Sequence, residues 1–142
     1  MKRLIGFLAL VCIAALVLSG CSTPQAEAEV RAIDVDLTQL SSTMVYAEVF
    51  NITNDPQPYL GKVMKLGGMY YSNYIEELEQ TYHFVLISDA AACCEQGLEF
   101  VLPEGQSYPE VGKEVEIVGT FADYLEDGMS FCHVLADEIT VR

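Results

Sequence analysis

Pro58-Tyr59-Leu60-Gly61-Lys62-Val63-Met64-Lys65-Leu66-Gly67-Gly68-Met69-Tyr70 has an echo later in the chain. The second copy is Pro109-Glu110-Val111-Gly112-Lys113-Glu114-Val115-Glu116-Ile117-Val118-Gly119-Thr120-Phe121. Both read Pro-x-apolar-Gly-Lys-x-apolar-x-apolar-x-Gly-x-aromatic. In each, Pro and Gly make a turn, and the residues after it alternate with period two, as a half-buried strand does. Val115, Ile117 and Phe121 oppose Glu114 and Glu116. Gly68 and Gly119 fall on the apolar face, where a missing side chain lets a strand coil sharply or a neighbour pass close.

Each copy is followed by a further strand. Thr81–Ser88 comes after the acidic turn Glu76-Glu77-Leu78-Glu79. Met129–Thr140 comes after Glu126-Asp127-Gly128, a strong hairpin signal. Between the halves lies one short apolar run, Leu98–Leu102, ended by Pro103. Ahead of all of them, Ser41–Thr53 has helical spacing, with Met44, Val45, Val49 and Ile52 on one stripe and Tyr46 and Phe50 on the next. Ser41 or Ser42 can cap its first turn, and Asn54-Asp55-Pro56 stops it. Hairpin, single strand, hairpin resembles the OB fold, a five-stranded, partly open Greek-key barrel. The expected fold is mainly β: a five-stranded OB-like barrel with one N-terminal helix, over residues 40–142. A short loop, Glu104–Tyr108, takes the place of the usual helix between strands three and four.

Lys2 and Arg3 precede about 15 apolar residues and then Leu18-Ser19-Gly20-Cys21. Residues 1–20 therefore read as a lipoprotein signal peptide, with Cys21 carrying the lipid. Residues 21–39 contain few large apolar side chains and read as a flexible tether. The expected location is the outer face of the cell membrane. All 21 acidic residues follow Cys21, and only Arg31, Lys62, Lys65, Lys113 and Arg142 among basic ones do, which leaves that part near −16. Such a polyanion argues against nucleic acid as a partner.

Chemistry centres on Cys93, Cys94, Cys132 and His133. In an OB topology strands three and five run parallel, which brings the start of each to one end of the barrel. Cys93 and Cys94 sit just before strand three and Cys132 near the start of strand five. Three readings stay open. One is a disulfide, Cys94 with Cys132, favoured by an exported domain. Another is a soft metal site of thiolates and imidazole, suited to zinc. The last is burial of small hydrophobic thiols. No nucleophile elbow, phosphate loop or distinctive carboxylate pair occurs, so no enzyme activity is expected. Tyr70, Tyr71 and Tyr74 form an aromatic run that either stacks a ligand or covers a barrel edge.

Ala92-Cys93-Cys94-Glu95-Gln96-Gly97-Leu98-Glu99-Phe100, with His83–Asp89 before it and Tyr108–Phe121 after it, resembles a group of small lipoproteins of Gram-positive bacteria. It is also similar to the extracytoplasmic domain of permease-associated membrane proteins linked to zinc limitation. The resemblance implies an OB-like extracellular module that handles zinc or assists a transporter. The expectation is then a lipid-anchored module binding zinc through Cys93, Cys94, Cys132 and His133. The alternatives are an accessory subunit of a transport system with a structural disulfide and, more weakly, a thiol redox protein.

Overall fold

A computed structural model of the chain describes residues 31–142. The signal peptide, Cys21 and the first part of the tether lie outside the described residues. Those described form β1 (Val35–Asp36), α1 (Ser42–Asn54), β2 (Val63–Ile75), β3 (Gln80–Ser88), β4 (Glu95–Val101), β5 (Glu114–Glu126) and β6 (Met129–Val141). Strands β2 to β6 close into a barrel in the order β2-β3-β4-β6-β5, with β5 pairing back onto β2. β4 runs parallel to β6, and the other barrel pairings are antiparallel. This is the OB topology that the sequence pattern predicts.

The repeat has a structural cause. The two copies pair with each other, Leu66 opposite Ile117 and Gly68 opposite Val115. Each Gly-Lys turn is then pinned by the aromatic residue that ends the other copy. Gly61 N donates to Phe121 O, and Phe121 N donates to Lys62 O. Reciprocally, Gly112 N donates to Tyr70 O, and Tyr70 N donates to Lys113 O. Backbone polar groups at both strand ends are satisfied by this exchange, as buried main chain requires. Gly68 and Gly119 do what the pattern predicts. A Cβ on Gly68 would lie 2.3 Å from Leu86 O, and one on Gly119 2.3 Å from Leu135 O, so the next strand crosses directly over each.

The core runs from Leu66, Val85 and Ile117 to Phe100, Phe121 and Val134, all buried. α1 is capped by Ser41, whose hydroxyl accepts from Met44 N. It packs on β3 and β4 and contributes Val49 and Ile52 to the core. The stripe is narrower than the spacing predicts, since Met44 and Phe50 are exposed at 58% and 54%.

The tether ends earlier than the composition predicts. Val35 and Asp36 pair with Met64 and Lys65, and Leu37 is buried in the core. One large apolar residue in a polar segment is enough to dock it once a strand edge is there to receive its backbone. The first barrel strand also runs on from Tyr70 to Ile75, pairing with β3 as far as Gln80. Among the described residues no helix is long and apolar enough to cross a membrane.

Candidate functional site

The cysteines come first, because the sequence weights them most. Asp89 to Cys94 form the β3–β4 turn. Asp89 Oδ1 accepts from Ala91 N and Cys93 N, Asp89 N donates to Cys94 O, and Ala92 takes a left-handed φ of 53°. The Cys93 thiol donates to Asp89 Oδ2 at 3.2 Å and lies 3.7 Å from the Cys94 sulfur. That carboxylate pushes the Cys93 pKa up, so the group stays a thiol, the less nucleophilic form.

Cys132 stands elsewhere. Phe100 pairs with Val134, which puts Leu98, not Cys94, level with Cys132. Cys94 is four residues further along, about 13 Å at the rise of a strand. All three described cysteines are free, Cys93 and Cys94 exposed and Cys132 half-buried against the core. The expected Cys94–Cys132 disulfide is corrected accordingly. His133 points to the face opposite Cys132 and stacks on Tyr124 with 4.7 Å between ring centres. Among the described residues, the donors close enough to share an ion are Asp89, Cys93 and Cys94, without Cys132 or His133. A closed zinc centre needs four converging ligands. The predicted set of Cys93, Cys94, Cys132 and His133 does not fit one.

The structure directs attention to the outer face of the barrel. The β2–β3 hairpin and the β5–β6 hairpin rise on either side of β3, β4 and β6 and leave a groove of about 370 Å³ between their tips. Its walls are mostly apolar, with Ile75 and Leu78 on one hairpin, Met129 and Phe131 on the other, and Phe84 on the floor. Tight turns hold both tips. Glu79 (φ 50°) closes the first, and Asp127 and Gly128 (φ 49° and 79°) close the second, as a two-residue hairpin demands.

Three acidic residues line this mostly apolar groove: Glu99, Glu126 and Asp127. Two are fixed by tyrosines. Tyr124 Oη donates to Glu99 Oε2 at 2.8 Å, and Tyr82 Oη donates to Glu126 Oε1 at 2.6 Å. The bond to Glu126 is the main reason the Tyr82 pKa is pushed up to about 12. Burial raises the Glu99 pKa, an effect that the Tyr124 hydroxyl partly offsets. His133 Nδ1 lies 4.0 Å from Glu99 Oε1, yet burial lowers its pKa. With that pKa lowered from an ordinary value of 6.5, the imidazole is mostly neutral at pH 7, so it gives Glu99 no cationic partner. Tyr82, Glu99, Tyr124 and Glu126 were invisible in the sequence because polar residues on the outer face of a strand read as solvated. The alternation around Leu98-Glu99-Phe100 puts Glu99 on that face but does not reveal the hairpins that fold over it.

The tyrosine run does not act as one unit: Tyr71 faces opposite Tyr70, and Tyr74 shares the parity of Tyr70 but lies out toward the hairpin tip. Tyr70 is buried, and its Oη lies 2.8 Å from His83 Nδ1. Tyr108 stacks on His83, with ring centres 3.4 Å apart. Tyr71 and Tyr74 are exposed. The run thus serves neither as one ligand platform nor as one cover.

No protein family matches the chain by sequence, and no curated protein does. Among solved structures it is similar to the dimeric N-terminal domain of PriB from Thermoanaerobacter tencongensis. The likeness has 19% identity and a TM-score of 0.39, and it covers 56% of this chain and 94% of that domain. Two expectations are corrected on physical grounds. Zinc binding through Cys93, Cys94, Cys132 and His133 is withdrawn, because these four donors do not converge. The exclusion of nucleic acid is withdrawn with it, since net charge describes a whole molecule and not one face of it. The likeness assigns no ligand to this chain.

Proposed function

We propose that the barrel is a non-catalytic binding module whose site is the groove between the two hairpin tips. Its ligand is organic and carries an amine or guanidinium beside an apolar surface. The observation that supports this reading is the set of three carboxylates, Glu99, Glu126 and Asp127, inside a groove walled by Ile75, Leu78, Phe84, Met129 and Phe131. Ligand sites are typically concave and mostly apolar, with a few placed polar groups. An OB barrel binds on this face, between these two loops. Carboxylates recognise a guanidinium through charge-assisted hydrogen bonds, and the rings of Phe84 and Phe131 add cation–π attraction.

The sequence supplies the setting. Leu18-Ser19-Gly20-Cys21 supports lipid attachment at Cys21 and a place on the outer face of the membrane. Mass spectrometry of the chain from cells tests it, and a Cys21 without lipid overturns it.

Nuclear magnetic resonance titration of the full chain tests the ligand class. The probes are arginyl-phenylalanine amide, its neutral citrulline counterpart, and an oligothymidylate. The first should shift Tyr82, Glu99, Tyr124 and Phe131 and leave the Asp89–Cys94 turn untouched. Equal shifts from the citrulline probe, or stronger groove shifts from the oligothymidylate, would overturn the reading.

A further inference from the structure

The barrel is incompletely sewn. β4 and β6 pair only through Phe100 with Val134 and Val101 with Leu135, although β4 begins at Glu95 and β6 at Met129. Upstream of that contact, Glu95–Glu99 bond to β3 on one side and Met129–His133 bond to β5 on one side. Their other edges face each other unjoined. A space of about 290 Å³ fills the seam, with Gly97 and Leu98 on one bank, Ser130 and Cys132 on the other, and Ile52, Thr53 and Pro56 at the end of α1 beside it. It opens into the groove described above, since Phe84, Glu99 and Phe131 border both.

An open strand edge is a template for another strand, and barrels normally abolish it by closure. The end of α1 and Pro56 cover the β4 side of this one, and no lysine or proline lies within Met129–His133 on the β6 side. Neither bank carries a lysine or arginine; Glu99 lines the space, Glu95 starts β4, and Glu126 and Asp127 lie at the β5–β6 turn. Met129 and Phe131 stand exposed along it.

We propose that this seam accepts an extended segment of another protein as an added strand, hydrogen-bonded to the free edge of β6 over Met129–His133. The inference rests on the groove reading and names its partner class. Side chains of the added strand alternate between two environments. Outward ones meet Glu99 and Glu126 and are basic. Inward ones enter the space beside Leu98 and Cys132 and are apolar and of moderate size. Main-chain bonds provide affinity and the two environments select the sequence, as in other strand additions. A free amine or a rigid helix satisfies only part of this.

The test uses the full chain and acetyl-Lys-Val-Lys-Val-Lys-amide, beside the same peptide N-methylated at the amides of one edge, and at those of the other edge in a third peptide. Charge and shape are retained while strand donors are removed. The unmodified peptide should slow hydrogen exchange at Met129–His133, and one of the methylated pair should bind at least tenfold more weakly. If both methylated peptides bind as tightly as the parent, or exchange at Met129–His133 is unchanged, strand addition is overturned. The groove reading still stands in that case provided arginyl-phenylalanine amide shifts Glu99 and Tyr124, so the two failures are distinguishable.

Discussion

At the scale of single residues, Gly68 and Gly119 carry more of the fold than their size suggests. In each case a Cβ would meet main-chain oxygen, which cannot rotate away as a side chain can. Gly68→Ala and Gly119→Ala should each cost about 2–3 kcal/mol, at the upper end for overpacked interiors. Gly105, with φ 86° and open space around it, should lose only about 1 kcal/mol as Gly105→Ala. Urea denaturation of the three variants gives the comparison, and equal losses would mean that crowding at the strand crossings is not the cause. Glu99 poses the opposite trade. Its raised pKa means that burial penalises the ionised form, so its contribution to stability falls as pH rises through that pKa. Glu99→Gln removes the penalty. The variant should unfold at slightly higher temperature at pH 7 while binding a guanidinium probe at least tenfold more weakly. A less stable variant with intact binding would contradict both halves.

At the scale of elements, the echo was legible because paired strands with reciprocal turns leave the same pattern twice. The helix was legible as an element but only partly as a face. Val49 and Ile52 are buried, whereas Met44 of the same stripe and Phe50 of the next look outward. Ile52→Ala should therefore cost about 2–5 kcal/mol, and Phe50→Ala less than about 0.5, in thermal or chemical denaturation. The thiols illustrate what spacing cannot carry. Parallel pairing of β4 with β6 follows from strand order. Its starting point follows from where the two strands part, a three-dimensional matter on which Cys94 and Cys132 bear no mark. Reaction with a thiol reagent under native conditions, without reductant, should modify the exposed Cys94 quickly, and Cys93, whose proton Asp89 holds, and the half-buried Cys132 more slowly. A Cys132 that reacts only after reduction would restore the disulfide.

At the scale of the whole molecule, one face of an acidic barrel gathers acidic residues that no lysine or arginine among the described residues pairs with. Lys65 and Arg142 both bond to Glu116, and Arg31 to Asp137, all away from the groove. An organic cation in the groove would meet Glu99 in a partly dry setting, where hydrogen bonds to charged groups contribute about 1.5–3 kcal/mol. That corresponds to roughly tenfold or more in affinity. Since Glu99 takes up its proton at higher pH than an ordinary carboxylate, cation affinity should fall on acidification before the other acids titrate. Calorimetric titration of the chain at pH 7 with arginyl-phenylalanine amide, and then with its citrulline counterpart, tests the central claim most directly. The charged ligand should bind at least tenfold more tightly, and indistinguishable affinities would contradict the account.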